Sequence, residues 1–483
     1  MTAPFDLRAA AHRAMLANGF LPDVPADVQA EVRRASDLAG PVPANVRDMR
    51  PLPWSSIDND SSKDLDQLEV ADRLSDSEVR VRVAIADVDG TVVRGSATDH
   101  YAGANATSVY TGVATFPMLP DRLSTQLTSL AQESDRPAVV IEFVVTASGD
   151  TRSHDVYLAR VENRAKLAYG SVGAWLDGKG AAPPAATIAI QDQLRLQDLV
   201  AQSLRANRAR RGALSLETIE AQSVVRADQS VSIELVEKTR ASHLIEDFMI
   251  AANVVMAQFL DAHGSPSIRR VVRTPERWDR IIALAATTGD ELPDVPSSAA
   301  LEEFLAKRRA ADPERFADLS LSVVKLIGPG EYALHAPGSA DAGHFGLATH
   351  DYTHSTAPNR RFADLVTQRL LKAVLEGGPA PYSADELAQI AQHCTEREDA
   401  ARKVERQVRK EAAAVSMAPH VGESFDAIVT GVTPKGTFVR IVAPPVEGRV
   451  MRGERGLDVG DRVRVSLLST DAAHGFVDFG VKE

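Results

Sequence analysis

Along residues 79–87, Val-Arg-Val-Arg-Val-Ala-Ile-Ala-Asp, apolar and polar side chains alternate and then give way to an unbroken apolar run. A strand that enters a core has this pattern, because successive side chains point to opposite faces until both faces are covered. Residues 138–145, Ala-Val-Val-Ile-Glu-Phe-Val-Val, predict a second buried strand. Strand-like patterning runs from about 48 to 165. On either side the period lengthens. Residues 7–18 and 26–38 predict two short helices, with Gly19 and Gly40 at their stops and proline close behind each. Residues 185–209 predict a helix, with Ile190, Leu194 and Leu199 near helical spacing; 243–262, 278–287 and 298–310 predict three more. Residues 362–375 predict a strongly apolar helix stopped by Gly377 and Gly378. Ser383-Ala-Asp-Glu386 reads as a capping box that opens one long, increasingly charged helix over 383–416. After Pro419 and Gly422, short strand patterns at 425–430, 436–441 and 460–467, separated by glycine turns, suit a small five-stranded barrel.

The resulting organisation is an α+β multidomain chain: an N-terminal helical module (1–48), a mixed α+β body (49–418) and a C-terminal β-barrel (419–483). At 483 residues there is room for about three domains. A single cysteine, Cys394, excludes a disulfide framework and a thiolate zinc site, and fits a reducing, cytoplasmic setting. The N-terminal residues carry no apolar run of a secretory signal. The most apolar helical stretch, 243–260, is interrupted by Glu246 and Asp247 and reads as too short to span a bilayer. Net charge is −12, the wrong sign for a simple nucleic-acid coat protein. Basic residues nevertheless cluster at Arg205/Arg208/Arg210/Arg211, Arg269/Arg270/Arg273, Arg360/Arg361 and Arg440/Arg449/Arg452/Arg455. Each cluster alone reads as a solvated face; four in an acidic chain suggest an anionic partner.

The densest chemistry lies in Asp58-Asn-Asp-Ser-Ser-Lys-Asp64-Leu-Asp66-Gln67, where Asp58, Asp60, Asp64 and Asp66 crowd together. Like charges this close raise one another's pKa unless a cation joins them. Three readings compete. A solvated turn suits Asp, Asn and Ser. A helix-loop-helix calcium loop would use Asp58, Asp60, Ser62, Asp64 and Glu69, but Lys63 occupies the position that needs glycine, and Pro51 and Pro53 forbid the entering helix. The third is a Mg²⁺ site for hydrolysis of a phosphate ester.

Six segments in series resemble the ribonuclease II/ribonuclease R (RNB) exoribonuclease family over roughly residues 50–380. They are Ile57-Asp58 to Asp66; Val83-Ala-Ile-Ala-Asp87 with Gly95-Ser96 and Asp99; Thr107-Ser-Val-Tyr110 with Pro117 to Ser124; Arg164-Ala-Lys-Leu-Ala-Tyr169; Leu244-Ile-Glu246-Asp247 to Asn253; and His344-Phe-Gly-Leu with Tyr352 to Leu365. The barrel resembles the OB-fold RNA-binding domain of a ribosomal protein, through Gly422-Glu-Ser-Phe425, Gly436-Thr-Phe438-Val439 and Val446-Glu-Gly448.

The resemblance implies 3′-to-5′ hydrolysis of single-stranded RNA to nucleoside 5′-monophosphates, with Mg²⁺ or Mn²⁺, by a monomer that needs no membrane. It implies a metal site at Asp58, Asp64, Asp66 and Gln67, with Asp66 the residue whose loss most damages chemistry and Asp64 beside it. Arg360 would pair with the phosphate as charge develops. Tyr110 would stack on bases, Tyr169 and Glu246 would meet the terminal ribose, and Arg361, Phe425 and Phe438 would meet RNA, the two phenylalanines being equally suited to barrel core. Departures from the family pattern stand out: Gln67 replaces an aspartate, Ala357 a serine, Asn359 an apolar residue and Phe362 a tyrosine, while Leu216 replaces an aromatic stacking partner and predicts weaker base clamping. The first 50 residues do not resemble the paired cold-shock barrels that usually lead the family, so substrate capture there is expected to differ. The competing classes are an RNA binder that keeps the fold without cleavage, motivated by Gln67, and a DNA-directed nuclease, against which Tyr169 with Glu246 argues.

Overall fold

The computed structural model describes residues 5–36, 42–217, 220–225, 231–236, 238–339, 342–434 and 436–482. Two helices open it, α1 (Leu7–Ala17) and α2 (Ala26–Arg34). Asp6 caps α1 by accepting from Arg8 N and Ala9 N, each at 3.0 Å. The second helix stops at Ala35, whose backbone is extended; residues 37 and 38 of the expected helix, and Gly40, lie outside the described residues. Neither helix stands apart from the body. Val28 and Val32 of α2 join the main core, and α1 packs along a long C-terminal helix through Leu7, Ala11, Ala14 and Met15.

The strands in chain order are β1 (Arg47–Asp48), β2 (Ser55–Asp58), β3 (Gln67–Arg73), β4 (Glu78–Ala86), the short pair β5 (Val109–Tyr110) and β6 (Thr115–Phe116), then β7 (Asp135–Thr146), β8 (Thr151–Glu162) and β9 (Ala165–Ala168). Seven of them form one mixed sheet in the order β1-β8-β7-β4-β3-β2-β9. The alternating run at 79–87 is β4, central in that sheet and antiparallel to β3 and β7. Its second half is unbrokenly buried, as the apolar run predicted. β1 pairs with β8, so residues 47–48 belong to this sheet and not to the helical module.

Helices α3 (Ala97–Asn105), α4 (Tyr169–Leu176), α5 (Ile188–Arg210) and α6 (Arg240–Ala262) follow. The last is capped by Thr239 and packs on the sheet. At 23 residues it is longer than the sequence pattern suggested, and it is long and apolar enough to cross a membrane by length and composition; 72% of its apolar window is buried inside the protein. Strands β10 (Glu220–Val225) and β11 (Val231–Val236) pair with each other, as do β12 (Ser267–Val271) and β13 (Glu331–His335). Between the latter, α7 (Trp278–Ala286), α8 (Ser298–Ala311) and α9 (Pro313–Ile327) enclose their own apolar cluster around Trp278, Phe304 and Phe316. The last of these escaped the sequence reading, although Asp312 caps it, Pro313 starts it and Phe316, Leu319, Val323 and Leu326 recur at helical spacing.

Helices α10 (Phe362–Glu376) and α11 (Ala384–Met417) match their expected spans within a residue or two. The predicted capping box is formed: Glu386 N donates to Ser383 Oγ at 3.2 Å and Ser383 N to Glu386 Oε2 at 2.7 Å. The closed barrel comprises β14 (Ser424–Thr433), β15 (Gly436–Ile441), β16 (Glu447–Arg452), β17 (Arg462–Asp471) and β18 (Phe476–Val481), in the order β14-β15-β16-β18-β17. A β-carbon at Gly448 would sit 2.4 Å from Val477 O, so glycine is what lets β16 lie against β18. Ala413, Ala414 and Met417 of α11 join the barrel's core, which fixes the barrel to the end of that helix.

Candidate active site

β2 ends at Asp58, beside Ala168 at the end of β9, and the acidic loop leaves from there to re-enter the sheet at Gln67. Backbone contacts hold the loop. Leu65 N donates to Ser129 Oγ (3.1 Å), that hydroxyl donates to Lys63 O (2.7 Å), and Leu130 N donates to Leu65 O (2.9 Å). Ala86 N donates to Asp66 O (2.9 Å), and Lys166 Nζ to Asp60 O (3.1 Å). The loop is therefore solvated only over residues 59–63, and its second half runs into the protein. Asp60 faces solvent, Asp64 is half-buried, and Asp66 is 3% exposed.

Asp66 meets the segment before α10. Asn359 N donates to Asp66 Oδ1 at 3.2 Å, and Arg360 Nε lies 3.7 Å from Asp66 Oδ2. Burial nonetheless pushes the Asp66 carboxyl up to about 7, with Asp64 adding to the rise and Arg360 opposing it. Burial also raises Asp64, and the Asp58 charge raises it further. Asp58, Asp64, Asp66 and Arg360 thus share one electrostatic neighbourhood. Gln67 begins β3 and is buried.

Arg360 is half-exposed, while its carbonyl accepts from Ser108 N at 3.0 Å, so a fixed backbone carries a reachable guanidinium. Arg361 is placed differently from its expected role in meeting RNA. Its fork is filled by Asp364, with Nε to Oδ2 at 2.8 Å and Nη2 to Oδ1 at 2.7 Å, and Ala357 N also donates to Asp364 Oδ1 at 2.8 Å. The reason is position: three residues apart at the start of α10, the two side chains meet on one helix face. Asp364 is fully buried, and the Arg361-x-x-Asp364 spacing was the signal for it. Asn359 also gains a role: its Oδ1 accepts from Thr128 Oγ1 at 2.6 Å, which braces the amide that reaches Asp66.

Tyr110 is 43% exposed beside the site; its backbone N donates to Glu405 Oε1 at 3.1 Å. Burial of the hydroxyl pushes it up to about 12, and Arg360, Asp64 and Asp66 all act on it. Tyr169 opens α4 one residue beyond the partner of Asp58, and its hydroxyl is raised by burial and by the charges of Asp58 and Glu69. Glu246 is about half exposed on α6 and pairs with Lys238 Nζ at 3.7 Å, whereas its neighbour Asp247 is the buried one of the two. Asp247 is 1% exposed and takes Arg205 Nη2 at 2.7 Å together with Arg208. No hydrogen bond or ion pair among the described residues ties Glu246 to the acidic loop. Leu216 packs against the α7–α9 cluster.

In the sequence Glu69 stands out only as the last position of the disfavoured calcium loop. It is 0% exposed, opposite Ser55 in the β2–β3 pair, and neither carboxylate oxygen has a hydrogen-bond partner. Among the described residues no three carboxylates or histidines converge into a ready metal cage. The donor set still fits a hard cation. Several buried or half-buried carboxylates repel one another, and Mg²⁺ keeps several waters and needs only one or two carboxylates.

The basic clusters divide. Arg205, Arg208 and Arg211 are engaged by Asp247 and Asp150, Arg270 by Glu398, Arg273 by Glu331 and Arg440 by Asp318. Arg449, Arg452 and Arg455 are exposed on the barrel, with Arg449 directly opposite Phe438. Phe438 is half-buried between the inward-facing Thr437 and Val439, so it stands on the outer face. Phe425 shares strand parity with the buried Ala427 and Val429 and packs against the barrel core, with His420 edge-on at 6.5 Å.

Comparison with known proteins gives the family. The RNB domain matches residues 46–377, and the RNase II-type exonuclease C-terminal S1 domain matches 423–482. Ribonuclease R 1 of Lactococcus lactis is 30% identical over 456 residues, covering 88% of this chain and 55% of the relative. Ribonuclease R of Escherichia coli is 30% identical, covering 87% and 53%. The chain thus spans little more than half the length of these relatives. Mycoplasma genitalium RNase R, solved in complex with ribose methylated single-stranded RNA, superposes with a TM-score of 0.89 at 22% identity, covering 99% of this chain and 78% of that one. Yeast Ssd1, described as a pseudonuclease, superposes with a TM-score of 0.73 at 18% identity, covering 95% and 57%. The acidic loop, the arginine opposite it and the appended barrel all lie within the matched spans, and the chain belongs to the RNB family.

Proposed function

We propose that this chain is a 3′-to-5′ exoribonuclease that hydrolyses single-stranded RNA to nucleoside 5′-monophosphates, with Mg²⁺ bound by Asp58, Asp64 and Asp66. The observation that carries the reading is the buried Asp66 carboxylate, held between Asn359 N at 3.2 Å and the half-exposed Arg360 at 3.7 Å. A purely binding protein has no use for a carboxylate kept at this electrostatic cost. A bound divalent cation would supply a water nucleophile near neutral pH and steady the departing 3′-oxygen.

This chain's own residues do the rest. Asp66 and Asp64 offer anionic oxygens at the mouth of the sheet, and Asn359 fixes the orientation of Asp66. Arg360, reachable from solvent, presents a planar fork to the phosphate oxygens as negative charge builds there. The exposed Tyr110 offers a ring to an incoming base, and Tyr169, beside Asp58, would meet the terminal ribose, whose 2′-hydroxyl distinguishes RNA from DNA. Glu246 would join it from α6. On the barrel, Phe438 with Arg449 combines an aromatic face with a cation, as single-strand binding requires.

The test is 5′-labelled poly(A) RNA with Mg²⁺, alongside EDTA, Asp66→Asn and a matched DNA oligonucleotide. A shrinking ladder on RNA alone, lost with EDTA and in the variant, is the expected result. Tight binding with an intact label would show that the fold serves binding without cleavage.

A further inference from the structure

Glu69 poses a problem that the reading above leaves unsolved. Its carboxyl is wholly inaccessible to solvent, and neither oxygen accepts a hydrogen bond. The groups around it do not relieve it. The Ser55 hydroxyl, on the residue paired with it across the strands, is buried without a partner of its own. The Gln197 amide donates to the Glu69 backbone carbonyl, not to the carboxylate. A buried carboxylate left in this condition must either keep its proton or meet a cation.

Position favours the cation. Glu69 lies two residues beyond Gln67 on β3, and side chains alternate along a strand, so the two face the same side of the sheet. Ser55, its partner across the strands, begins the strand that ends at Asp58, the first carboxylate of the acidic loop; burial raises the Glu69 carboxyl and the Asp58 charge adds to the rise. Gln67 stands at the edge of the acidic loop as a neutral amide, which can offer an oxygen to a cation but no charge. A glutamate is one methylene longer than an aspartate and reaches further along its strand face.

We infer that Glu69 supplies, from two residues further along β3, the carboxylate charge that Gln67 does not bring to the divalent-metal site. The inference rests on the metal-dependent reading of the acidic loop. It makes Gln67 and Glu69 a compensated pair, in which the neutral residue at the rim is balanced by an acidic one behind it.

Metal binding itself is the readout. Mn²⁺ is titrated into the full chain and free ion is followed by electron paramagnetic resonance, for wild type, Glu69→Gln, Gln67→Asp/Glu69→Gln and Asp66→Asn, with circular dichroism to show each is folded. Glu69→Gln keeps the shape and removes the charge, and is expected to weaken Mn²⁺ binding by about 10–100-fold. Gln67→Asp/Glu69→Gln is expected to recover most of that loss. Unchanged Mn²⁺ affinity in Glu69→Gln, with Asp66→Asn weakened, would overturn the role of Glu69 and leave the metal reading intact. Failure of the double variant to recover would overturn the compensation between the two positions. A wild-type chain that binds no Mn²⁺ would overturn both the metal reading and this inference.

Discussion

At the residue scale, two side chains share one carboxylate environment and have opposite access to solvent. Asp66 is buried and Arg360 is half-exposed, so the carboxyl is fixed inside the protein while the guanidinium is reachable from solvent. Arg360→Ala should therefore lower the single-turnover cleavage rate by about 10²–10³-fold, while RNA affinity measured with EDTA present moves much less. Equal losses in both would mean that Arg360 only binds. Asp66 also predicts a pH dependence. Its folded carboxyl titrates at about 7 against an ordinary 3.8, so the native state holds a proton that the unfolded chain releases. The stability this provides is complete below the ordinary value and is lost as pH rises through about 7. In EDTA, urea unfolding should show wild type losing stability relative to Asp66→Asn across that window, and Mg²⁺ should restore it because the cation favours the ionised form.

At the element scale, the start of α10 does the positioning. Ala357 N and the Arg361 fork converge on the buried Asp364, which locks the turn that carries Asn359 and Arg360 to Asp66. Asp364→Ala leaves the arginine charge without its partner in a mostly buried setting, and should cost about 3–5 kcal/mol of unfolding free energy, measured by denaturant titration. The helices themselves were readable, since Ser383 with Glu386, Gly377 and the apolar period of 362–375 mark ends and faces through local chemistry. The acidic loop was readable as a charge problem. Its solution was not, because Ser129, Ala86 and Asn359 come from distant parts of the chain.

At the scale of the whole molecule, α11 links the parts. Tyr110 N reaches Glu405 on it, α1 packs along it, and its last turns enter the barrel core. The proposed site and the barrel are thereby held on one long rod. Phe438→Ala on the barrel's outer face should weaken binding of single-stranded RNA by about 1–3 kcal/mol, with the cleavage rate of bound RNA unchanged, as fluorescence anisotropy and single-turnover kinetics would show. Loss of the cleavage rate instead would place Phe438 in folding or in the site.

The sequence by itself determined the alternation of β4, the spans of the long helices, the barrel and the clustering of aspartates, because periodicity, caps and glycine turns are local. Tertiary structure decided which charges remain free. Arg205, Arg208, Arg270 and Arg361 look in the sequence like candidates for an anionic ligand, yet the fold gives each a carboxylate partner. Arg360 stays reachable beside a buried aspartate. Glu69, unremarkable as text, becomes a carboxylate with no partner only once β3 lies inside the sheet. Arg361 has its partner three residues away, within reach of a local pattern, but for Arg205, Arg208, Arg270 and Glu69 the pairing depends on residues far away in the chain.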